Sequence, residues 1–149
     1  MNGGRVRVSM RAEYGARAII DLAQRHGMGL TQTADIAARQ HIPESYLEQL
    51  LTTLRKAGLV RSVRGPAGGH ELARDPSTLT LGHILDALEG VSTGGGSSDD
   101  GAGQVTSAAV LKEVWRELAD RYELLVHGIT VEDLVKRQVE RESRSMYYI

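Results

Sequence analysis

Residues 45–73 read SYLEQLLTTLRKAGLVRSVRGPAGGHELA, and the fold depends on how that stretch divides. Its first half predicts a helix from about Glu44 to Ala57. At roughly 100° per residue, Leu47, Leu50, Leu51 and Leu54 fall on one arc. Glu44, Ser45, Glu48, Gln49, Thr52, Arg55 and Lys56 fall on another, and the two arcs do not overlap. Gly58 stands where a glycine ends a helix. The second half predicts a hairpin. LVRSVRG and GHELAR carry a modest strand pattern through Leu59, Val60, Val63 and Leu72, and GPAG between them has the chemistry of a tight tip. Arg55, Lys56, Arg61 and Arg64 lie between Glu48 and Glu71 with no acid intervening, in a chain whose formal net charge is −1.

Working outward, the residues upstream supply two more helices. SMRAEYGARAIIDLAQRHG repeats Ala12, Ala16, Ile19, Ile20 and Ala23 at spacings of three and four, with Gly27 as the stop. LTQT offers cap candidates for a short helix, ADIAARQ, with Ile36 and Ala37 inward. HIP makes the next break, because the residue before a proline is biased away from the helical region. His41 occupies the turn. Downstream, Thr80 is placed to cap a helix to about Glu89 with Ile84, Leu85 and Leu88 inward. Residues 92–104 hold only Gly, Ser, Thr, Asp, Ala, Gln and their like, and predict a flexible loop. A long helix from about Ser107 to Val126 follows. Along it Leu111, Trp115, Leu118, Tyr122 and Leu125 step by four, three, four and three, a heptad seam that needs a partner surface. Gly128 interrupts it, Thr130 caps a short helix TVEDLVKRQV, and no structure is predicted for the tail ESRSMYYI.

The fold class expected is therefore mainly α with a small β-hairpin wing: a winged helix-turn-helix with a long C-terminal dimerisation helix. Its divisions are 9–90 for the DNA-binding domain, 91–106 for the loop, 107–141 for the dimerisation helix and the short helix after it, and 142–149 for the tail. A chain of 149 residues suits one domain with an appended element. With 4% aromatics the core must be aliphatic. No apolar run approaches a membrane span, and MNGGRVRVSM lacks the apolar segment of a signal peptide, so a cytoplasmic location is expected. The absence of cysteine excludes disulfides, thiolate metal sites and a cysteine nucleophile.

In a winged helix-turn-helix the second helix lies in the major groove and presents its polar arc to base edges. Ser45 can hydrogen-bond a base or phosphate, Glu48 can accept from a cytosine amino group, and Gln49 can pair with adenine. Phosphates attract Arg55, Lys56, Arg61 and Arg64, and Arg64 at the hairpin tip can enter a narrow minor groove. Gly65, Gly68 and Gly69 let the backbone turn and approach DNA closely. The plainer reading is that any amphipathic helix has a polar arc and that charge clusters are usually just solvated. Winged helices also serve as protein-interaction modules, so a module that docks a protein and no longer binds DNA is the alternative.

Four blocks give the chain a specific resemblance: AEYGARAIIDLA, DIAARQHIPESYLEQLLTTLRKAGLVRSVRGPAGGHELAR, TLTLGHILDALEG, and VWRELADR with ITVEDLV. Over about residues 9–139 it resembles the Rrf2 family of bacterial winged-helix transcription regulators. That resemblance implies a homodimer whose long helices cross, each wing-and-helix unit reading half of a palindromic operator in double-stranded DNA, with a repressor as the expected role. It implies base reading by Ser45, Glu48 and Gln49, a minor-groove Arg64, and Tyr46 against the DNA backbone. The chain departs from the pattern at one place. Family members that carry an iron–sulfur cluster hold three cysteines before the long helix, and these positions are Ser97, Gly103 and Ala109 here. A three-cysteine cluster is excluded, no cofactor is expected, and the signal is expected to be a protein or small-molecule effector. A pocket for the latter would lie near residues 92–104 and His83.

The five histidines, His26, His41, His70, His83 and His127, are scattered without metal-ligand spacing, so no metal site is expected. His70 sits on the wing, where it can stack or touch phosphate. No enzyme is expected: GPAGG lacks the strand–loop–Lys–helix context of a phosphate loop, and no Ser-His-Asp set is brought together locally.

Overall fold

The computed structural model describes residues 8–90 and 105–147; residues 91–104 of the expected loop, with Ser97 and Gly103, lie outside them. The described elements are α1 (Met10–Gln24), α2 (Thr33–Gln40), α3 (Glu44–Lys56), β1 (Val60–Val63), β2 (Gly69–Leu72), α4 (Leu81–Glu89), α5 (Thr106–Gly128) and α6 (Val131–Met146). The two strands pair antiparallel, Val60 opposite Leu72 and Ser62 opposite His70.

Helix α1 begins at Ser9, whose hydroxyl accepts from the Ala12 N–H. Its buried face runs through Ala12, Gly15, Ala18, Ile19 and Leu22, whereas Ala16 and Ile20, expected inward, are only half-buried. The face is turned because Gly15 lets α4 come close: a Cβ there would overlap the Leu88 side chain. Leu85 is likewise half-buried. Helix α2 starts without a side-chain cap, its Thr33 hydroxyl being engaged elsewhere. It ends at His41 in the left-handed conformation (φ 55°), which the following turn requires.

Helix α3 buries Leu47, Leu50, Leu51 and Leu54 completely, as their spacing predicts. Its end is a Schellman motif. The Gly58 N–H donates to the Arg55 carbonyl and the Leu59 N–H to the Leu54 carbonyl, both at 3.0 Å, and Leu54 and Leu59 are both buried. Gly58 adopts φ 80°, where an L side chain is strained by about 1–2 kcal/mol. Gly58→Ala is expected to lower stability by about 1 kcal/mol, read as a lower urea midpoint at unchanged slope.

The chain leaves α3 into the hairpin, returns through Leu79, and enters α4 at a capping box built by Thr80 and His83. A matching box of Thr130 and Asp133 opens α6. The two helix starts are clipped together, Leu81 N–H to the Ile129 carbonyl and Val131 N–H to the Leu79 carbonyl, each 2.8 Å. Val131 thereby joins the core made by α1–α4. Helix α6 runs to Met146, well past the expected end near residue 141 and through most of the residues assigned to a tail. Good helix formers and the i,i+4 pairs Lys136–Glu132, Gln138–Glu142 and Arg144–Glu140 sustain it. Helix α5, by contrast, has one buried residue, Val126. Among the described residues no helix is long and apolar enough to cross a membrane.

Candidate nucleic-acid interface

The buried leucines hold α3 so that Ser45, Glu48, Gln49, Arg55 and Lys56 are all exposed along its other side. Two neighbours fix its attitude. Tyr46 is half-buried and meets Tyr14 of α1 edge-on, ring centroids 5.9 Å apart, while the Arg17 guanidinium covers the Tyr14 ring at 4.6 Å. Arg11 donates to the Leu88 carbonyl (2.9 Å) and to the Thr53 hydroxyl (3.1 Å), tying α1 to both α4 and α3. The sequence reading missed Arg11, because its partners lie far along the chain.

The helix-turn-helix itself is fastened by a buried acid. Asp21 is 1% exposed and takes a two-pronged bond from Arg39 (3.0 and 2.8 Å) plus one from Gln40 (3.1 Å), with Arg25 at 3.5 Å. Burial alone would raise its pKa. Bonds from Arg39 and Gln40 and the charges of Arg39 and Arg25 outweigh it, and the carboxyl titrates below the usual aspartate value. No apolar pattern could reveal this residue, which lies on the inward side of α1 beside Leu22.

The cation cluster needs one correction. Arg61 and Glu71 are cross-strand partners, and the Arg61 guanidinium donates to the Glu71 carboxylate, Nε to Oε1 at 2.7 Å. An acid ten residues away in sequence thus cancels one of the four charges. Of the four, only Arg61 forms an ion pair among the described residues; Arg55, Lys56 and Arg64 are exposed.

The wing glycines also divide. Gly65 is exposed at the tip, where the Gly68 N–H closes a turn onto its carbonyl at 2.9 Å. Gly68 and Gly69 are buried, and both lie along the groove beside α3. A Cβ on Gly68 would overlap the Val63 carbonyl, and one on Gly69 would lie 2.7 Å from the Thr31 carbonyl. That second approach lets the wing lie against the chain before α2: Thr31 and His70 exchange backbone hydrogen bonds of 2.9 and 2.7 Å.

His70 is half-buried between two hydroxyls, Ser62 Oγ 2.7 Å from Nδ1 and Thr33 Oγ1 2.9 Å from Nε2. Burial pushes its pKa below the ordinary histidine value; Glu48 pulls it up and Arg55 down, with a net lowering. The wing and α3 face each other across an open groove lined by Glu44 and Glu48 on one side and Gly65, Pro66 and His70 on the other.

The remaining histidines include a close pair, His83 and His127. His127 has two companion carboxylates, Glu123, one turn upstream, at 3.3 Å and Asp86 of α4 at 3.5 Å. Its ring packs edge-on to His83 at 5.5 Å. Among the described residues no group of three or more His, Asp or Glu side chains is arranged to hold a metal ion. Ala109, the one family cysteine position described, offers no donor atom.

On α5 the heptad residues Leu111, Trp115, Leu118, Tyr122 and Leu125 are all exposed, flanked by exposed Val110 and Val114. Isolated apolar residues on a surface need no explanation, but a continuous stripe along a helix with one buried residue does.

Comparison with known proteins gives these features a context. The Rrf2 family model, described as an iron-dependent transcriptional regulator, matches residues 8–137. The HTH-type transcriptional regulator CymR of Bacillus subtilis (strain 168) is 33% identical over 144 residues, covering 97% of this chain and all of that protein (100%). The HTH-type transcriptional regulator IscR of Escherichia coli is 36% identical over 133 residues, 89% of this chain and 82% of the relative. Among solved structures, that of CymR, the global cysteine regulator of B. subtilis, superposes with a TM-score of 0.75 at 33% identity, covering 89% of this chain and 98% of the other.

Proposed function

The chain belongs to the Rrf2 family of transcriptional regulators, and on that premise we propose that it is a homodimer binding a palindromic operator in double-stranded DNA. The observation that carries this reading is the groove between α3 and the wing, with Glu44 and Glu48 on its α3 wall, Ser45 and Gln49 exposed on the same helix, and Arg64 exposed at the hairpin. In this reading α3 enters the major groove, where Gln49 meets adenine and Glu48 a cytosine amino group. Arg64 reaches the adjacent minor groove, and Arg55 and Lys56 neutralise phosphates. Arg61 contributes less, being held by Glu71.

The α5 seam is the dimer surface. It supplies the partner that a heptad stripe requires, and twofold symmetry then matches a palindromic site. The protein acts in the cytoplasm, as a repressor, and without a cysteine-ligated iron–sulfur cluster. An iron–sulfur cluster is held by thiolates, and the chain contains no cysteine, so its donor set does not fit such a cluster. A protein or a small molecule therefore brings the signal.

Affinity selection of fragmented host genomic DNA at near-physiological salt, with no metal or ligand added, tests the reading. A palindromic site is expected to be enriched. Arg64→Ala is expected to weaken binding to that site by roughly tenfold or more and to flatten the salt dependence by about one unit of slope for each wing. If no site is enriched and Arg64→Ala changes nothing in the cell, the chain is a docking module instead.

A further inference from the structure

We propose that His70 is the positioning residue of the wing: its imidazole, bonded on one side to Ser62 of β1 and on the other to Thr33 of α2, sets the hairpin so that Arg64 and the exposed side of α3 meet the same face of DNA. The inference rests on the DNA-binding reading, which it deepens by assigning a residue that does not itself touch DNA.

A hairpin of two short strands is marginal by itself and takes its place from what it leans on. Here the apolar support is confined to the root, where Val60 and Leu72 pair and are both buried. Further out Val63 is 44% exposed, so the half of the hairpin that carries Arg64 has much weaker apolar support than the root. What holds that half is polar. Thr31 and His70 exchange backbone hydrogen bonds, Gln32 reaches the Pro66 carbonyl at 3.4 Å, and the His70 ring spans from Ser62 to Thr33. Ser62 stands directly opposite His70 in the ladder, so the first hydroxyl comes from the wing itself. Thr33 is the first residue of α2, so the second comes from the helix-turn-helix.

The neutral ring suits this task. One nitrogen donates, the other accepts, and each hydroxyl can take the complementary role by rotating. The charged and titratable groups acting on the ring are Glu48 and Arg55, both on α3, so the ring also lies within reach of the helix that reads the bases. A phenylalanine would fill the space without making either bond. The half-buried hydroxyls would then lose their partner, and the hairpin its tie to α2.

The test is a double-mutant cycle on the enriched operator fragment, with wild type, Arg64→Ala, His70→Phe and the double variant. Positioning predicts that His70→Phe weakens binding about as much as Arg64→Ala does, and that Arg64→Ala then costs less than about twofold in the His70→Phe background. Ser62→Ala with Thr33→Val, which keeps the ring and removes both hydroxyls, is expected to behave as His70→Phe, and His70→Gln to recover part of the affinity. A purely structural role predicts that the two losses multiply, and that result overturns the proposal. Hydrogen exchange without DNA separates this failure from failure of the DNA-binding reading. The bonded amides of Thr31 and His70 are expected to exchange at least tenfold faster in His70→Phe while core amides of α3 keep their protection. If wild type selects no DNA, the DNA-binding reading falls and exchange alone decides whether His70 holds the wing. Unchanged exchange at those two amides overturns that as well.

Discussion

Leu118→Asp is expected to convert the protein to a monomer and to lower its operator affinity by roughly 10²- to 10⁴-fold, the loss that follows when two linked half-site contacts become independent. Leu118 is the middle residue of the α5 stripe and is 53% exposed in the single chain, so the substitution leaves the core of α1–α4 untouched. In a twofold dimer the new carboxylate appears twice at the interface, each time where an apolar partner should be. A buried carboxylate without a partner is disfavoured by several kcal/mol, more than one leucine contributes to any interface. Sedimentation equilibrium should give the monomer mass while circular dichroism keeps its helical signal. The salt dependence of the remaining binding should fall to about half, since each monomer neutralises half the phosphates. Retention of the dimer mass with unchanged affinity would remove α5 as the dimer surface.

That prediction draws on a part of the fold legible in the sequence. The α5 seam and the α3 leucines each repeat at the helical period, and a period survives whatever the rest of the chain does. Gly58 was legible for a related reason, since a glycine past the last periodic residue marks a helix end. The failures share a different cause. Asp21, Arg11 and His70 each have a partner 18 to 77 residues away, and spacing along the chain carries no trace of such contacts. The charge of the wing was overcounted because the cancelling acid lies across the hairpin, and only the strand register places Glu71 beside Arg61. At Gly68 and Gly69 the sequence gives no sign of the close Val63 and Thr31 carbonyls, which leave no room for a Cβ at either position. The apolar period of α1 is ambiguous and admits Ala16 and Ile20 on the inward face; packing of α4 on Gly15 settles which face is buried. Helix α6 outran its apolar pattern because polar i,i+4 pairs carry a helix where apolar spacing gives no signal.

The same long-range contacts yield the largest expected loss of stability. Asp21→Ala removes a carboxylate that is 1% exposed and leaves the Arg39 guanidinium, the Gln40 amide and the nearby Arg25 without their shared acceptor. Breaking a buried pair by deleting one partner typically costs about 3–5 kcal/mol. Arg39 is 35% exposed and can rehydrate, which points to the lower end, about 3 kcal/mol. For a chain of this size that is a fall in melting temperature of roughly 6–12 °C. Asp21→Asn should lie between, because it keeps the shape and one acceptor oxygen but turns an amide donor toward a guanidinium that can only donate. The pH dependence identifies the cause. A carboxyl titrating lower in the folded protein than in the unfolded chain contributes fully above the ordinary aspartate value of about 3.9, and loses that contribution as pH falls through the folded value. The stability gap between wild type and Asp21→Ala, measured by urea unfolding, should therefore be constant from neutrality down to about pH 5 and shrink below about pH 4. A gap under about 1 kcal/mol at neutral pH would mean that the aliphatic packing of α1 on α2, and not the Asp21–Arg39–Gln40 cluster, sets the geometry of the helix-turn-helix.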